Sequence, residues 1–150
     1  MQSSTFDDKH AASKAIDGKL KGTGPSGGCS STDRTDKEQW WRAEFDNVNT
    51  IAGVKLLARS DKYRTRYAPR VTVSTKEDGN WTLCEDLGDR LSKVEENGQT
   101  WVEAKCPPHT LGKYVKVTLH KKEFLMLCEV EAFGVSANGK NNCVIHYQKI

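Results

Sequence analysis

The chain lacks the features that mark several large protein classes. It contains no run of about 18 apolar residues, so no membrane-spanning helix is predicted. It also has no heptad repeat and no long apolar stripe at helical spacing, which argues against a coiled coil or a helical bundle. Its 23 basic and 20 acidic residues give a formal net charge of +3, and the basic residues are scattered. Nucleic-acid binding is therefore not expected, because it requires concentrated positive charge.

Motifs for catalysis and for structural zinc are also absent. No G-x-S-x-G segment, paired-carboxylate site or Cys–His arrangement in the chain argues for catalysis, so an enzyme is not expected. The five cysteines form no C-x-x-C pair, which argues against a zinc site: Cys29, Cys84, Cys106, Cys128 and Cys143. Two disulfides with one cysteine left over favour an oxidising compartment, whereas a reduced cytosolic protein with buried thiols is the alternative. The N-glycosylation sequon Asn80-Trp81-Thr82 agrees with secretion.

What the chain does contain is a series of short alternating segments separated by turn residues. These segments predict strands at 40–45, 51–57, 70–75, 101–104, 114–119 and 127–133. Turns are predicted between them, for example at Asp46-Asn47 and at 78–80, and one short helix is predicted at 11–16. The pattern indicates an all-β sandwich or barrel of one domain. The four tryptophans, Trp40, Trp41, Trp81 and Trp101, are interpreted as core or edge packing.

The most informative segment is the loop that follows the apolar strand at 51–57. It carries Arg59, Asp61 and Arg66 within eight residues. Two guanidinium groups can grip several hydroxyl oxygens at once, and an aspartate between them can orient both. This chemistry suits a neutral polyol such as a sugar, although a basic loop with one acid is also typical of a solvated surface.

The order of several segments resembles a known family. Residues 12–19 (A-S-K-A-I-D-G-K), then Cys29, then 40–42 (W-W-R) look like the opening of a discoidin-type sandwich, and 113–117 followed by 127–134 (L-C-E-V-E-A-F-G) look like its close. Within this superfamily the chain is most similar to the F-type lectins, the fucose-binding animal lectins, over residues 3–135. The resemblance implies a discoidin-like jelly-roll β-sandwich with a short helical turn near the N-terminus. The predicted lectin domain is therefore 1–135. The polar residues 136–150 are interpreted as a C-terminal extension, in which Val144, Ile145 and Tyr147 could pack or pair as an edge strand.

The resemblance assigns roles in sugar binding. Arg59, Asp61 and Arg66 match the family motif R-x-D-x4-R/K, in which the basic residues donate to sugar hydroxyls and the aspartate holds their geometry. Ser31 stands where the family has a sugar-binding histidine, two positions after the first cysteine, so specificity is expected to be altered. Tyr63 occupies a position where the family often has a cysteine, and its ring could face the apolar side of a sugar.

The resemblance also implies disulfides and a calcium ion. It pairs Cys29 with Cys128 and Cys84 with Cys106, and it leaves Cys143 unpaired. The family holds one structural Ca2+ near the short helix, and the matching positions are Lys14, Asp17, Lys19, Gly28, Cys128 and Glu129. Asp17 and Glu129 would bind through carboxylates and the others through backbone carbonyls, with water replacing the family's serine ligand at Gly28.

Together these features predict a secreted lectin whose partners are glycans and glycoproteins. Single-site sugar affinity is expected to be weak, so a homo-oligomer that gains avidity is predicted. One alternative is a discoidin-like domain that binds anionic lipid or a protein partner without binding sugar. Loops rich in Gly, Ser, Lys and Thr argue against insertion into a membrane. A second alternative is an appendage that keeps the fold and has lost the site.

Overall fold

A computed structural model describes most of the chain: residues 1–20, 28–34, 38–57, 69–88, 93–96, 99–120, 122–136, 139 and 143–145. Near the N-terminus lie two 3₁₀ helices, Asp8–His10 and Ala12–Ile16, and the second confirms the predicted short helix. The strands are β1 Ser30–Ser31, β2 Gln39–Leu57, β3 Arg70–Ser74, β4 Thr82–Asp86, β5 Lys93–Glu96, β6 Gln99–Lys105, β7 Leu111–Leu119, β8 Met126–Leu127, β9 Glu129–Val135 and β10 Cys143–Ile145. No helix among the described residues is long and apolar enough to span a membrane.

The strands form the two layers of a β-sandwich around the long strand β2. The first half of β2 pairs antiparallel with β7, which continues to β3 and β4, and we call this group the β7 layer. The second half of β2 pairs with β9 on one side and with β6 on the other, and β10 and β5 extend these to form the β9 layer. Among the described strands, the short strands β1 and β8 pair only with each other. The predicted all-β sandwich is confirmed.

The change of layer within β2 corrects one prediction. Asp46-Asn47 is not a turn between two strands, because a single strand runs from Gln39 to Leu57. The pairing register with β7 shifts between Glu44 and Asn49, and residues 46–48 are exposed. A bulge of this kind bends a strand and uses the same polar residues that favour a turn.

The main core lies between the inner faces of the two layers. Alternation decides which residues enter it: Trp41, Ala43 and Phe45 are buried along β2, and Val115 and Val117 are buried along β7. The β9 layer contributes mainly valines, leucines and alanines, namely Val54, Leu56, Ala104, Val130 and Ala132. This face-to-face burial of apolar strands holds the sandwich together.

A second, smaller cluster lies apart from the main core. It consists of Cys29, Leu57, Trp101 and Cys128, with Leu20 and Met126 packed against it, and we call it the satellite core. Both predicted disulfides are present, Cys29–Cys128 in the satellite core and Cys84–Cys106 beside the main core. At the other end of the chain, β10 pairs with β9, as suggested for the edge of the sheet. The proposed boundary after residue 135 stays a prediction.

Candidate functional site

The predicted sugar loop connects the two layers. It leaves the β9 layer after Leu57, the last residue of β2, and it enters the β7 layer near Arg70, the first residue of β3. The predicted sugar-binding residues Arg59, Asp61, Tyr63 and Arg66 belong to this connection and lie outside the described residues. The structure does describe the two ends between which the connection runs.

The first end of the connection is anchored in the satellite core. Leu57 is 2% exposed and packs with Trp101 against the Cys29–Cys128 disulfide. The backbone N–H of Cys128 donates a 2.8 Å hydrogen bond to the carbonyl of Leu57. Burial, a hydrogen bond and a covalent bridge therefore meet at the residue from which the loop departs.

The second end of the connection is held by the β3–β4 pair. Pro69 is buried, and its carbonyl accepts a 3.0 Å hydrogen bond from the N–H of Leu87. Arg70 forms a 2.9 Å ion pair with Asp86, its partner across the strands. The hydrogen bond from Arg70 is the main cause that holds the pKa of Asp86 below its ordinary value. This end thus rests on backbone pairing and on a partly exposed ion pair.

Ser31 is placed differently from an exposed sugar ligand. It lies in β1, it is completely buried, and its hydroxyl donates a 3.1 Å hydrogen bond to the carbonyl of Thr32. The carbonyl of Ser31 accepts from the side chain of Gln2 at 3.1 Å and from the N–H of Phe6 at 3.1 Å. A hydroxyl without exposed surface offers a sugar no contact in this arrangement, so the role assigned to Ser31 stays a prediction that the geometry does not favour.

The residues predicted to hold calcium come together beside the second 3₁₀ helix. Asp17 follows that helix, and the helix packs against β9, which begins at Glu129. The N–H of Gly18 donates a 3.1 Å hydrogen bond to Oε2 of Glu129. Asp17 accepts a 3.0 Å bond from the N–H of Lys19, which closes the turn. Gly28 and Cys128 are tied to the same region by the Cys29–Cys128 disulfide.

The carboxylate of Glu129 is the distinctive group of this region. Glu129 is only 5% exposed, and its pKa is raised to about 7, chiefly by this burial. The hydrogen bond from Gly18 lowers the pKa, while the neighbouring carboxylates of Asp17 and Glu131 contribute to raising it. A buried carboxylate beside a second acid favours a nearby positive charge. Among the described residues no group of three or more His, Cys, Asp or Glu side chains is suited to a metal ion, so any site here would depend on carbonyl ligands.

Two features of the region around Glu129 and the Cys29–Cys128 disulfide were not identified from the sequence. One is the hydrogen bond from Gly18, which has φ +71° and so adopts a conformation that favours glycine. Its signal in the sequence is the Asp-Gly pair itself. The other is the satellite core: Leu57 and Trp101 are cross-strand partners, but nothing in a single sequence shows that they are covered on the outer side of their sheet.

Comparison with known proteins agrees with this architecture. The profile of the F5/8 type C domain matches residues 1–130. The chain is 33% identical over 138 residues to fucolectin-4 of Anguilla japonica, which covers 87% of this chain and 73% of that protein. A fucolectin from the serum of striped bass, Morone saxatilis, superposes with a TM-score of 0.71 at 22% identity, over 95% of this chain and 45% of the bass chain.

The lectin domain of lectinolysin, solved in complex with Lewis B antigen, has a TM-score of 0.69 at 25% identity and 89% coverage of each chain. The chain spans less than half the length of the bass lectin. The family profile and the similarity to fucolectin-4 both match the amino-acid sequence over most of the chain, so the likeness is not limited to the fold. The chain therefore belongs to the F5/8 type C domain family and, within it, to the fucolectins.

Proposed function

We propose that this chain is a lectin that binds fucose or a related hydroxyl-rich glycan through the connection between β2 and β3. Its relatives include several fucolectins, and the similar lectin domain of lectinolysin has been solved in complex with Lewis B antigen. The observation that carries the proposal is the full R-x-D-x4-R spacing in a connection whose first end leaves a buried, disulfide-linked cluster. No catalytic role is proposed.

The proposed chemistry is hydrogen bonding by two guanidinium groups. Arg59 and Arg66 would donate to adjacent sugar hydroxyls, Asp61 would orient them, and the ring of Tyr63 would face the apolar side of the sugar. The proposal includes no contact from the Ser31 hydroxyl, which is buried and donates to a neighbouring carbonyl. The contact that a histidine would supply at this position is therefore absent, which supports an altered specificity.

A glycan array with matched arginine variants tests this proposal. Arg59→Ala or Arg66→Ala is expected to weaken glycan binding about tenfold to a hundredfold, since a hydrogen bond from a charged donor contributes about 1.5–3 kcal/mol. Arg42→Ala is the matched control, because Arg42 is also an arginine but is partly buried, pairs with Glu77 and lies in the first half of β2, outside the connection.

Three results would contradict the proposal. One is wild-type glycan binding by folded Arg59→Ala and Arg66→Ala variants. Another is binding to anionic liposomes or to a protein partner with no glycan bound, which would favour the non-lectin alternative. No binding to any of these ligands would favour an appendage that has lost its site.

We also propose a structural Ca2+ beside the second 3₁₀ helix. Asp17 and Glu129 would contribute carboxylate oxygens, and Lys14, Lys19, Gly28 and Cys128 would contribute carbonyls. The burial of Glu129 next to Asp17 supports this, because a hard cation would neutralise both acids. The ion would supply positive charge that fixes the helical turn to β9.

Melting curves test the calcium proposal. Ca2+ is expected to raise the Tm of the wild type, and EDTA is expected to reverse the increase, because an ion that binds only the folded chain stabilises it. Glu129→Gln should abolish this response, and Glu131→Gln, a neighbouring acid on the same strand, should keep it. A Tm that Ca2+ and EDTA leave unchanged would refute the site.

Secretion and self-association complete the proposal. Two disulfides support an oxidising compartment, and weak single sites support an oligomer that presents several of them to a glycoprotein. The edge strand β10, which contains Cys143, is a candidate contact. Sedimentation under non-reducing conditions should show an oligomer at micromolar concentration, and a strict monomer would exclude this part.

A further inference from the structure

The outward surface of the β7 layer carries an unusual set of side chains. Trp40 and Arg42 on β2 point outward because Trp41 between them is buried, and Tyr114 and Lys116 on β7 do the same on either side of Val115. Trp81, just before β4, joins them. We call Trp40, Arg42, Trp81, Tyr114 and Lys116 the aromatic face.

The rings and cations of the aromatic face are in contact with one another. The ammonium group of Lys116 lies 5.9 Å from the ring centroid of Trp40 and 5.7 Å from that of Trp81. The guanidinium carbon of Arg42 lies 5.8 Å from Trp40 and 5.7 Å from Tyr114. All three aromatic residues are partly exposed, and each cation lies near two of their rings, which links the rings across the strands.

Charge on the aromatic face is balanced by nearby acids. Arg42 pairs with Glu77 at 2.5 Å, and Lys116 lies 3.9 Å from Glu38. Paired cations attract a polyanion weakly, so a nucleic acid or a sulfated chain does not fit this surface. Ring faces next to mixed donors and acceptors suit an uncharged, hydroxyl-rich ligand instead.

The chain itself offers an attachment point for such a ligand at the border of the aromatic face. Asn80-Trp81-Thr82 is an N-x-T acceptor sequence, and Trp81 belongs to both the sequon and the face. Asn80 and Thr82 are exposed, and Asn80 lies after the turn that joins β3 to β4. The side chain of Asn80 makes no hydrogen bond to another residue in the described part of the chain, so its amide is accessible.

We propose that Asn80 carries an N-linked glycan whose first sugars pack on Trp81 and extend over the aromatic face. This inference rests on the secretion proposed above. The amide nitrogen of Asn80 would bond to the anomeric carbon of an oligosaccharide carried on a lipid diphosphate. The bond from that carbon to the diphosphate oxygen breaks, the lipid diphosphate leaves with the electron pair, and the amide nitrogen loses one proton.

This glycan would not obstruct the proposed lectin site. The sugar-binding connection reaches β3 at Arg70, whereas the turn that leads to Asn80 leaves β3 after Ser74. The two sites therefore belong to opposite ends of one strand. A glycan at Asn80 shields the aromatic rings and leaves the other end of the sandwich open.

Mass spectrometry tests the attachment. The full chain, preceded by a secretory leader peptide, is produced in a eukaryotic host and treated with an N-glycanase. Wild type and Thr82→Ser, which keeps the sequon, are expected to lose the mass of a glycan, and Asn80→Gln and Thr82→Ala are expected to show no loss. Wild-type chain without a glycan would overturn the proposal.

A second measurement tests the packing. Trp81→Ala keeps an N-x-T sequence, so it should carry the same glycan. N-glycanase should remove this glycan roughly three- to tenfold faster than from the wild type under native conditions, because one ring contact with the sugar is lost. Phe133→Ala is the matched control, since Phe133 is partly buried, carries Lys55 5.9 Å from its ring and lies on the β9 layer. Equal release rates for Trp81→Ala and the wild type would refute the packing.

Glycan-array binding separates this proposal from the lectin proposal. Asn80→Gln is expected to bind the array as the wild type does, whereas Arg59→Ala is not. Absence of a glycan at Asn80 would thus leave the arginine site untouched, and loss of array binding in Arg59→Ala would say nothing against Asn80.

Discussion

The two hydrophobic clusters of this protein differ in size and in what they support. The main core contains many apolar side chains from both layers, so each side chain supplies only a small part of the buried apolar surface. The satellite core has four buried residues, two of which are the disulfide-bonded Cys29 and Cys128. The main core maintains the sandwich, while the satellite core maintains the residue from which the proposed sugar loop departs. A small cluster needs a covalent bond because it buries too little apolar surface to hold itself.

Truncating one leucine in each cluster should separate these roles most strongly. Leu119→Ala in the main core and Leu57→Ala in the satellite core should each destabilise the fold by about 2–5 kcal/mol, with Leu57→Ala at the lower end because fewer neighbours lose contacts. Chemical denaturation measures both. Leu57→Ala should also reduce glycan binding under conditions where both variants are folded, and the comparison fails if Leu119→Ala reduces it equally.

Removing each disulfide should give the next largest effect. Replacing Cys29 and Cys128 by serine should cost about 2–4 kcal/mol of unfolding free energy, because the bridge joins residues 99 positions apart. The Cys84–Cys106 bridge spans 22 positions, so its removal should cost about 1 kcal/mol less in the chain-entropy account. Urea denaturation of the two double variants provides the measurement. The reverse order would show that the satellite core gains little from its bridge.

The ion pair at the second end of the loop should have the smallest effect. Arg70→Ala is expected to cost less than about 1 kcal/mol, because Arg70 and Asp86 are both partly exposed and screened by solvent. The folded-state pKa of Asp86 lies below its ordinary value of 3.8. The pair therefore contributes at pH values above 3.8, and its contribution disappears as the pH falls through the lowered pKa. Wild type and variant should converge in acid, and a gap that widens in acid would contradict this.

The strands that alternate cleanly were predictable from the sequence. In β7 the buried residues Val115, Val117 and Leu119 alternate with partly exposed or polar ones, as predicted. β4 was missed because Thr82 and Leu83 are both exposed and show no alternation. The turn predicted at residues 46–47 was wrong because a bulge uses the same polar residues as a turn. The family and both disulfide pairs followed from the resemblance, and the comparisons and the structure confirm them.

The candidate site was less predictable, for physical reasons. Adjacent tryptophans show this: Trp41 is 1% exposed in the main core, whereas Trp40 lies on the outward surface. Both have the same apolar ring, and they differ only in the face of the sheet on which the side chain lies. Ser31 was assigned because it lies two positions after Cys29 in the sequence. The orientation of its side chain, however, depends on the pairing of β1 with β8. The roles of Arg59, Asp61, Tyr63 and Arg66 remain predictions.

The shared strand β2 has a mechanical consequence. The first half of β2 belongs to the β7 layer and the second half belongs to the β9 layer. The two layers therefore cannot separate without losing the strand pairing on one side of β2. Its exposed residues 46–48 are the place where a protease can reach it. Cleavage there would leave the pairing between strands intact but would break the backbone connection between the two layers. The nicked protein should still unfold in one step, because both layers share the main core, but at a lower temperature than the intact chain.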